Sequence, residues 1–275
     1  TGRHDVTRRV VLRRALADRV RWLIGWSIGI VALVVMTIAF WPSFEDQAAE
    51  LNDMLDNLPD SLKSLFGMGG GVDLFSPVGY LSSQIYALML PLLLLIGGIG
   101  AAAGVAGDEE HGLLETTYSL PITRARVVLE RGVAVMLATG ALALVSFVSV
   151  LGISRLVGLD IGILSLWWAT VSVVLITWAF AAVTLAVGAW SGRRGVAIAT
   201  ASTVATAMYI VTGLADAGIG FFEAIEPASL FTHYDVLHSL QHGAPPWSLL
   251  VLVAVVVVGT GLAAWVIDRR DLRAG

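Results

Sequence analysis

Few side chains in this 275-residue sequence could do chemistry, and four of them stand close together near its C-terminal end: His233, Asp235, His238 and His242. On a helix, His238 and His242 at i and i+4 share one face, a spacing a metal ion can use, and Asp235 could add an oxygen. That reading makes the chain a membrane-embedded metal-dependent enzyme. Against it, there is no H-E-x-x-H, and no acid stands out as a general base. The alternative is a set of exposed histidines on a short amphipathic helix. The sequence has no cysteine, so thiolate metal sites, disulfides and cysteine nucleophiles are excluded.

Two other patterns carry possible chemistry. The glycines Gly97, Gly98, Gly100, Gly104 and Gly107 could suggest a phosphate loop, but no G-x-x-x-x-G-K-[ST] occurs and the only lysine is Lys63. The Gly100-x-x-x-Gly104 spacing instead suits a face on which another helix packs closely. Thr170, Thr177, Thr184 and Ser191 recur every seven residues, which holds them to one helix stripe. The stripe reads either as packing through small polar residues or as a polar strip along a transport path. Trp167 and Trp178 share another face of that helix and could stack on a flat amphiphilic substrate.

The elements that must position these residues are apolar. Hydrophobic residues make up 57% of the chain and charged residues only 14%, with a mean hydropathy of +0.82. A charged fraction this far below that of soluble domains marks an integral membrane protein. The expected fold is all-α and polytopic, one transmembrane domain over 1–275 with six transmembrane helices at about 22–41, 80–106, 127–153, 163–190, 196–214 and 248–267. Each is long enough to cross a hydrocarbon core of about 30 Å. Polar segments at 42–79 and 215–247 join the spans on one side, the second broken by Pro227 into two short pieces.

Charge decides the orientation. Arginines crowd the N-terminal arm, where Val10, Val11, Leu12, Leu16 and Val20 interleave with Arg8, Arg9, Arg13, Arg14 and Arg19. Residues 1–21 therefore read as an amphipathic helix on the membrane surface rather than a nucleic-acid patch, because an apolar span follows at once. With six spans, fifteen of the seventeen basic residues fall on one side, leaving only Lys63 and Arg155 opposite. That asymmetry places both termini in the cytoplasm and the chain in the cell membrane. Inside the spans the only charges are Glu130 and Arg131, near an inner edge. Ion and proton carriers need buried acids or bases, so a secondary transporter is disfavoured.

The stretch that organises the rest is Gly107–Arg126, GDEEHGLLETTYSLPITRAR, the polar interruption between spans two and three. Acids come first, then an apolar patch of Leu113, Leu114, Tyr118 and Leu120, then Pro121, which disfavours helix at Leu120. Glu110-x-Gly112-Leu113-Leu114-Glu115 leading to Ser119-Leu120-Pro121-Ile122-Thr123-Arg124 resembles the cytoplasmic loop of ATP-binding-cassette (ABC) exporter permeases of the type-2 family. The basic helix before the first span and the broken outer segment at 215–247 are similar to that family too. The outer segment 42–79 is longer than in many relatives, and its role stays open.

The resemblance implies a non-catalytic permease subunit that binds no cofactor, with ATP and Mg held by a separate ATPase present in two copies. It implies a second permease copy or homologue beside this chain. It also implies that Glu110, Gly112, Leu113, Leu114, Glu115, Tyr118 and Leu120 form a coupling helix docked on the ATPase, and that the outer segment carries re-entrant or short helices. The cargo expected is hydrophobic or amphiphilic, such as a drug, an antibiotic or a lipid, carried along Thr170, Thr177, Trp178 and Thr184. Partners are then the ATPase, the second permease, membrane lipids and that small molecule, with no nucleic acid. The other reading of the acids is solvated charge at a helix N-terminus, which the helix dipole favours in any case. Neutralising Arg8, Arg9, Arg13 and Arg14 together should disturb membrane insertion or transport, since each basic residue gains about 1 kcal/mol at an anionic surface. Protease mapping of orientation checks it, and a variant that inserts and transports like the parent refutes the surface-helix reading.

Overall fold

The computed structural model describes residues 20–43, 76–110 and 123–269. The N-terminal arm, most of the outer segment 42–79, and the coupling residues after Glu110 lie outside the described residues. All regular structure among the described residues is helical. The helices are α1 (Val20–Ala39), α2 (Pro77–Leu81), α3 (Met89–Glu110), α4 (Arg124–Leu156), α5 (Ile163–Ser191), α6 (Arg194–Asp216), α7 (Gly220–Ile225), α8 (Val236–His242) and α9 (Leu249–Arg269). A π turn, Ser82–Tyr86, follows α2, and a 3-10 turn, Glu226–Ala228, follows α7.

Among the described residues six helical segments are long and apolar enough to span a membrane: Val20–Ser43, Pro77–Asp108, Arg124–Leu156, Ile163–Ser191, Arg194–Asp216 and Leu249–Arg269. Hydrocarbon offers no partner for backbone N–H and C=O groups, so sequences this apolar close their hydrogen bonds internally. The breaks between them have local causes. Gly192 takes a left-handed conformation (φ 63°) and ends α5, and α6 starts two residues later. The second span starts at Pro77, ahead of the Tyr80 expected from hydropathy, because the Ser76 hydroxyl accepts the Gly79 N–H and Pro77 fits the first turn. Near its start this span is irregular. Ala87 N–H reaches back to the Ser82 carbonyl, and Pro91 has no N–H to return to the turn before it.

Helix α5 is the axis of the bundle. It packs against α3, α4, α6, α8 and α9, while α1 leans on α4. Toward the end where α1 finishes, the core is made of large side chains: Ile30, Val34, Ile38, Tyr86, Leu94, Leu142, Leu166 and Val173 are all buried. At the other end it is made of small ones, with Ala102, Ala181, Ala189 and Ala263 meeting Val135 and Leu185. Small residues let helix backbones approach, and the closest approaches are at glycine. A Cβ on Gly98 would sit 2.9 Å from the Thr177 methyl, and one on Gly259 would sit 3.0 Å from the Ala182 Cβ and 3.2 Å from its carbonyl carbon. The expected close-packing pair Gly100 and Gly104 is not where the described helices touch, since among the described residues a Cβ at either position would meet nothing within 4 Å. That pair lies in an open groove beside Trp22 and Trp26. Many large apolar side chains, among them Ile28, Met36, Val148, Val257 and Val258, point outward, as a bilayer-facing surface requires.

Because the α5–α9 contact is backbone against backbone at Gly259, neither side can give way cheaply. Gly259→Leu should lose about 1–3 kcal/mol of stability, as overpacking usually does, and lower the melting temperature in detergent. Gly261→Ala, where a Cβ meets nothing, should melt like the parent.

Candidate functional site

The expected coupling segment is described only at its first residue, Glu110, which closes α3. Gly112, Leu113, Leu114, Glu115, Tyr118 and Leu120 lie outside the described residues. The two ends of the segment are nevertheless tied into the bundle. Glu110 Oε2 accepts the backbone N–H of Arg194 at 3.1 Å, the first residue of α6. Asp108 forms an ion pair with Arg131 of α4. On the far side of the segment, Asp268 of α9 accepts the Ala125 N–H of α4 at 3.1 Å. Arg126 and Glu130 pair within α4 at 2.9 Å. The residues at the N-cap positions, Thr123 for α4 and Arg193 for α6, make no side-chain capping bond of their own. Carboxylates from α3 and α9 do that work instead, where the helix dipole favours negative charge.

A groove of about 400 Å³ runs between α3 and α6. Its α3 wall is apolar, with Leu92, Leu95, Ile96 and Ile99, and its α6 wall carries Ser202, Thr206 and Tyr209. Among the described residues α6 is the least buried span, 11% against 61% for α5. Its outward face is unusually polar for a span, with Ser202, Thr203, Thr206 and Tyr209 all exposed. Hydroxyls on an apolar groove can orient a ligand without the cost of a buried charge.

The threonine stripe of α5 sits elsewhere. Thr170, Thr177 and Thr184 are buried. Each hydroxyl donates to the carbonyl one turn back, on Leu166, Val173 and Phe180 respectively, at 2.7–2.8 Å. Thr170 also meets the Tyr86 hydroxyl at 3.3 Å. Trp178 is bonded to α4, its indole N–H donating to the Met136 carbonyl and the Thr139 hydroxyl, both at 3.1 Å. Trp167 packs edge-on against Phe147 rather than with Trp178. None of these side chains lines the α3–α6 groove. The groove's polar wall went unread although its signal was present: Ser202, Thr206 and Tyr209 fall at i, i+4 and i+7, one helical face.

The outer histidines are brought near one another but are spent on structure. Asp235 is the N-cap of α8 and accepts the His238 N–H at 2.9 Å. His238 and His242 stack with ring centroids 4.4 Å apart. A carbonyl can only accept, so His242 Nδ1 donates to the His238 oxygen at 3.1 Å, and His233 Nε2 donates to the Pro227 oxygen at 3.1 Å. Among the described residues no group of three or more His, Cys, Asp or Glu could hold a metal. The metal-enzyme reading of His233, Asp235, His238 and His242 therefore finds no support.

No curated protein matches the chain significantly. A protein-family model described as ABC-2 family transporter protein matches residues 9–272. Because that match runs through all six apolar helices and both polar segments between them, the chain belongs to the ABC-2 transporter family and is a multi-pass membrane subunit of an ABC transporter.

Proposed function

We propose that this chain is the membrane half of an ATP-driven exporter that moves hydrophobic or amphiphilic molecules, drug-, antibiotic- or lipid-like, out of the cell. The observation that carries the reading is the α3–α6 groove: apolar on one side, hydroxyl-bearing on the other, and formed in part by the least buried span among the described residues. A second permease, identical or homologous, would cover that face and turn the groove into a path between two subunits. Fully apolar cargo would need no hydroxyls, and charged cargo would need counter-charges that the groove lacks.

Two copies of a separate ATPase, holding ATP and Mg, would supply the work, and Leu113, Leu114, Tyr118 and Leu120 would fill a groove on each. The tethers at the two ends of the segment support this role. Through Glu110 a displacement of the segment pulls on the first turn of α6, the polar wall of the path, and through Asp108 on α4. The orientation follows from charge: Arg21, Arg124, Arg126, Arg131, Arg193, Arg194 and Arg269 lie at the helix ends on the segment's side, and Arg155 at the opposite ends. That side is the cytoplasm of a cell-membrane protein with both termini inside.

Leu114→Asp should place a charge in the buried contact and weaken ATPase binding at least about thirtyfold, the cost of losing an interface anchor. Glu115→Arg should act more mildly and lose its effect at high salt. Pull-down of the ATPase and substrate-stimulated ATP hydrolysis, measured at low and high salt, check both. A Leu114→Asp variant that binds and exports like the parent removes the coupling role of the segment.

A further inference from the structure

The outer end of the α3–α6 groove is crossed by residues 229–239, and these are bonded to both of its walls. On the α6 side, Thr212 donates to Ser229 at 2.8 Å and meets Thr232 at 3.2 Å, and Ser229 donates to the Met208 carbonyl at 3.0 Å. On the α3 side the Tyr234 hydroxyl donates to the Tyr86 carbonyl at 2.7 Å, at the last residue of the π turn, and α8 packs on α2 and that turn through Val236 and Leu240. Between the two anchorages Phe231 enters the end of the groove. Its ring lies 5.4 Å from that of Tyr209 on α6, edge-on, and 5.8 Å from that of Phe180 on α5. Farther along, Ser239 meets Ser172 of α5 at 3.4 Å, which holds the end of the crossing to the bundle axis.

We infer that residues 229–239 are a strap across the outer mouth of the groove, with Phe231 as its plug and the Tyr234–Tyr86 bond as the latch that yields when the mouth opens. This rests on the reading of the groove as the path for cargo. The two walls cannot part at their outer ends while both anchorages hold. The anchorages are unequal. The α6 side has several hydroxyl bonds among residues adjacent in space, and the α3 side has one described hydrogen bond, phenol to carbonyl, beside the non-directional apolar packing of α8. The carbonyl belongs to a turn whose helical bonding is already irregular, so releasing it disrupts no regular ladder. Burial holds the Tyr234 phenol well above its ordinary range, and the neighbouring Tyr86 adds to this, so the hydroxyl keeps its proton and stays a donor. Opening therefore swings the strap away from α3 and leaves it attached to α6.

The chain has no cysteine, which makes accessibility a clean readout. Thr206→Cys places a single thiol in the groove, and Asp160→Cys places one on the exposed outer turn between α4 and α5 as a control. Each is introduced into the full chain in its native membrane and treated from outside with a charged, membrane-impermeant methanethiosulfonate. Tyr234→Phe keeps the ring and removes only the hydroxyl. It should speed labelling at Thr206→Cys about fivefold, the effect of one ordinary hydrogen bond on an opening equilibrium, and leave the control unchanged. Phe231→Ala should also speed it, and Thr232→Val should not, because Ser229 still holds the strap to α6. Labelling at the parental rate in Tyr234→Phe, a rise shared by the control, or a rise in Thr232→Val alone overturns the strap. The assay needs no cargo and no ATPase, so a labelling rise without export leaves the strap standing and refutes the exporter reading instead.

Discussion

The close approach of α5 to its neighbours is the contact on which the rest of the bundle depends. Helices α3, α4, α6 and α9 all lie against it. Water drives no association inside a bilayer, so the spans are held by packing, and packing strengthens as backbones come nearer. Alanine and glycine at the contacts allow that: Gly98 against Thr177, Gly188 against Ala106, Gly259 against Ala182. The threonines of α5 fit the same constraint. A hydroxyl that bonds the carbonyl one turn back in its own helix is left with no unsatisfied proton, and its methyl is free to pack, as that of Thr177 does on Gly98. The seven-residue recurrence thus aligns with the buried side of the most buried helix.

The architecture was legible because each span states itself. An apolar run of about 20 residues has few alternatives in lipid, and the arginines mark the ends. The π turn at Ser82–Tyr86 was not legible. No residue there demands it, and the Tyr86 carbonyl is engaged by Tyr234, a residue far along the chain. The groove was missed for a related reason. The threonines of α5 and the hydroxyls of α6 look equally suggestive as patterns, and only the helix positions show that one set is inside the protein and the other on its surface. The histidines illustrate the same ambiguity at short range. Their i, i+4 spacing suits a metal, yet the rings stack on each other and one bonds the helix that carries it.

At the opposite end of the molecule two carboxylates are placed on backbone. Glu110 and Asp268 each meet an N–H in the first turn of a helix other than their own. A carboxylate in that position works twice, once as hydrogen-bond acceptor and once against the dipole. It also joins two helices at their ends, where side-chain packing is thinnest. The central segment is therefore not a loop hung between two independent helices. It leaves a helix bonded to α6 and enters one bonded to α9.

That arrangement sets an order for synthesis. A chain threaded into the membrane from its N-terminus has already made Glu110 when the first turn of α6 appears, so that turn meets its cap as it forms. The first turn of α4 is made 143 residues before Asp268. Until the sixth span arrives, the Ala125 N–H is without that acceptor. The start of α4 is completed by nearly the last residue of the final helix, so loss of that helix by truncation would be registered directly at the junction that joins the central segment to the membrane.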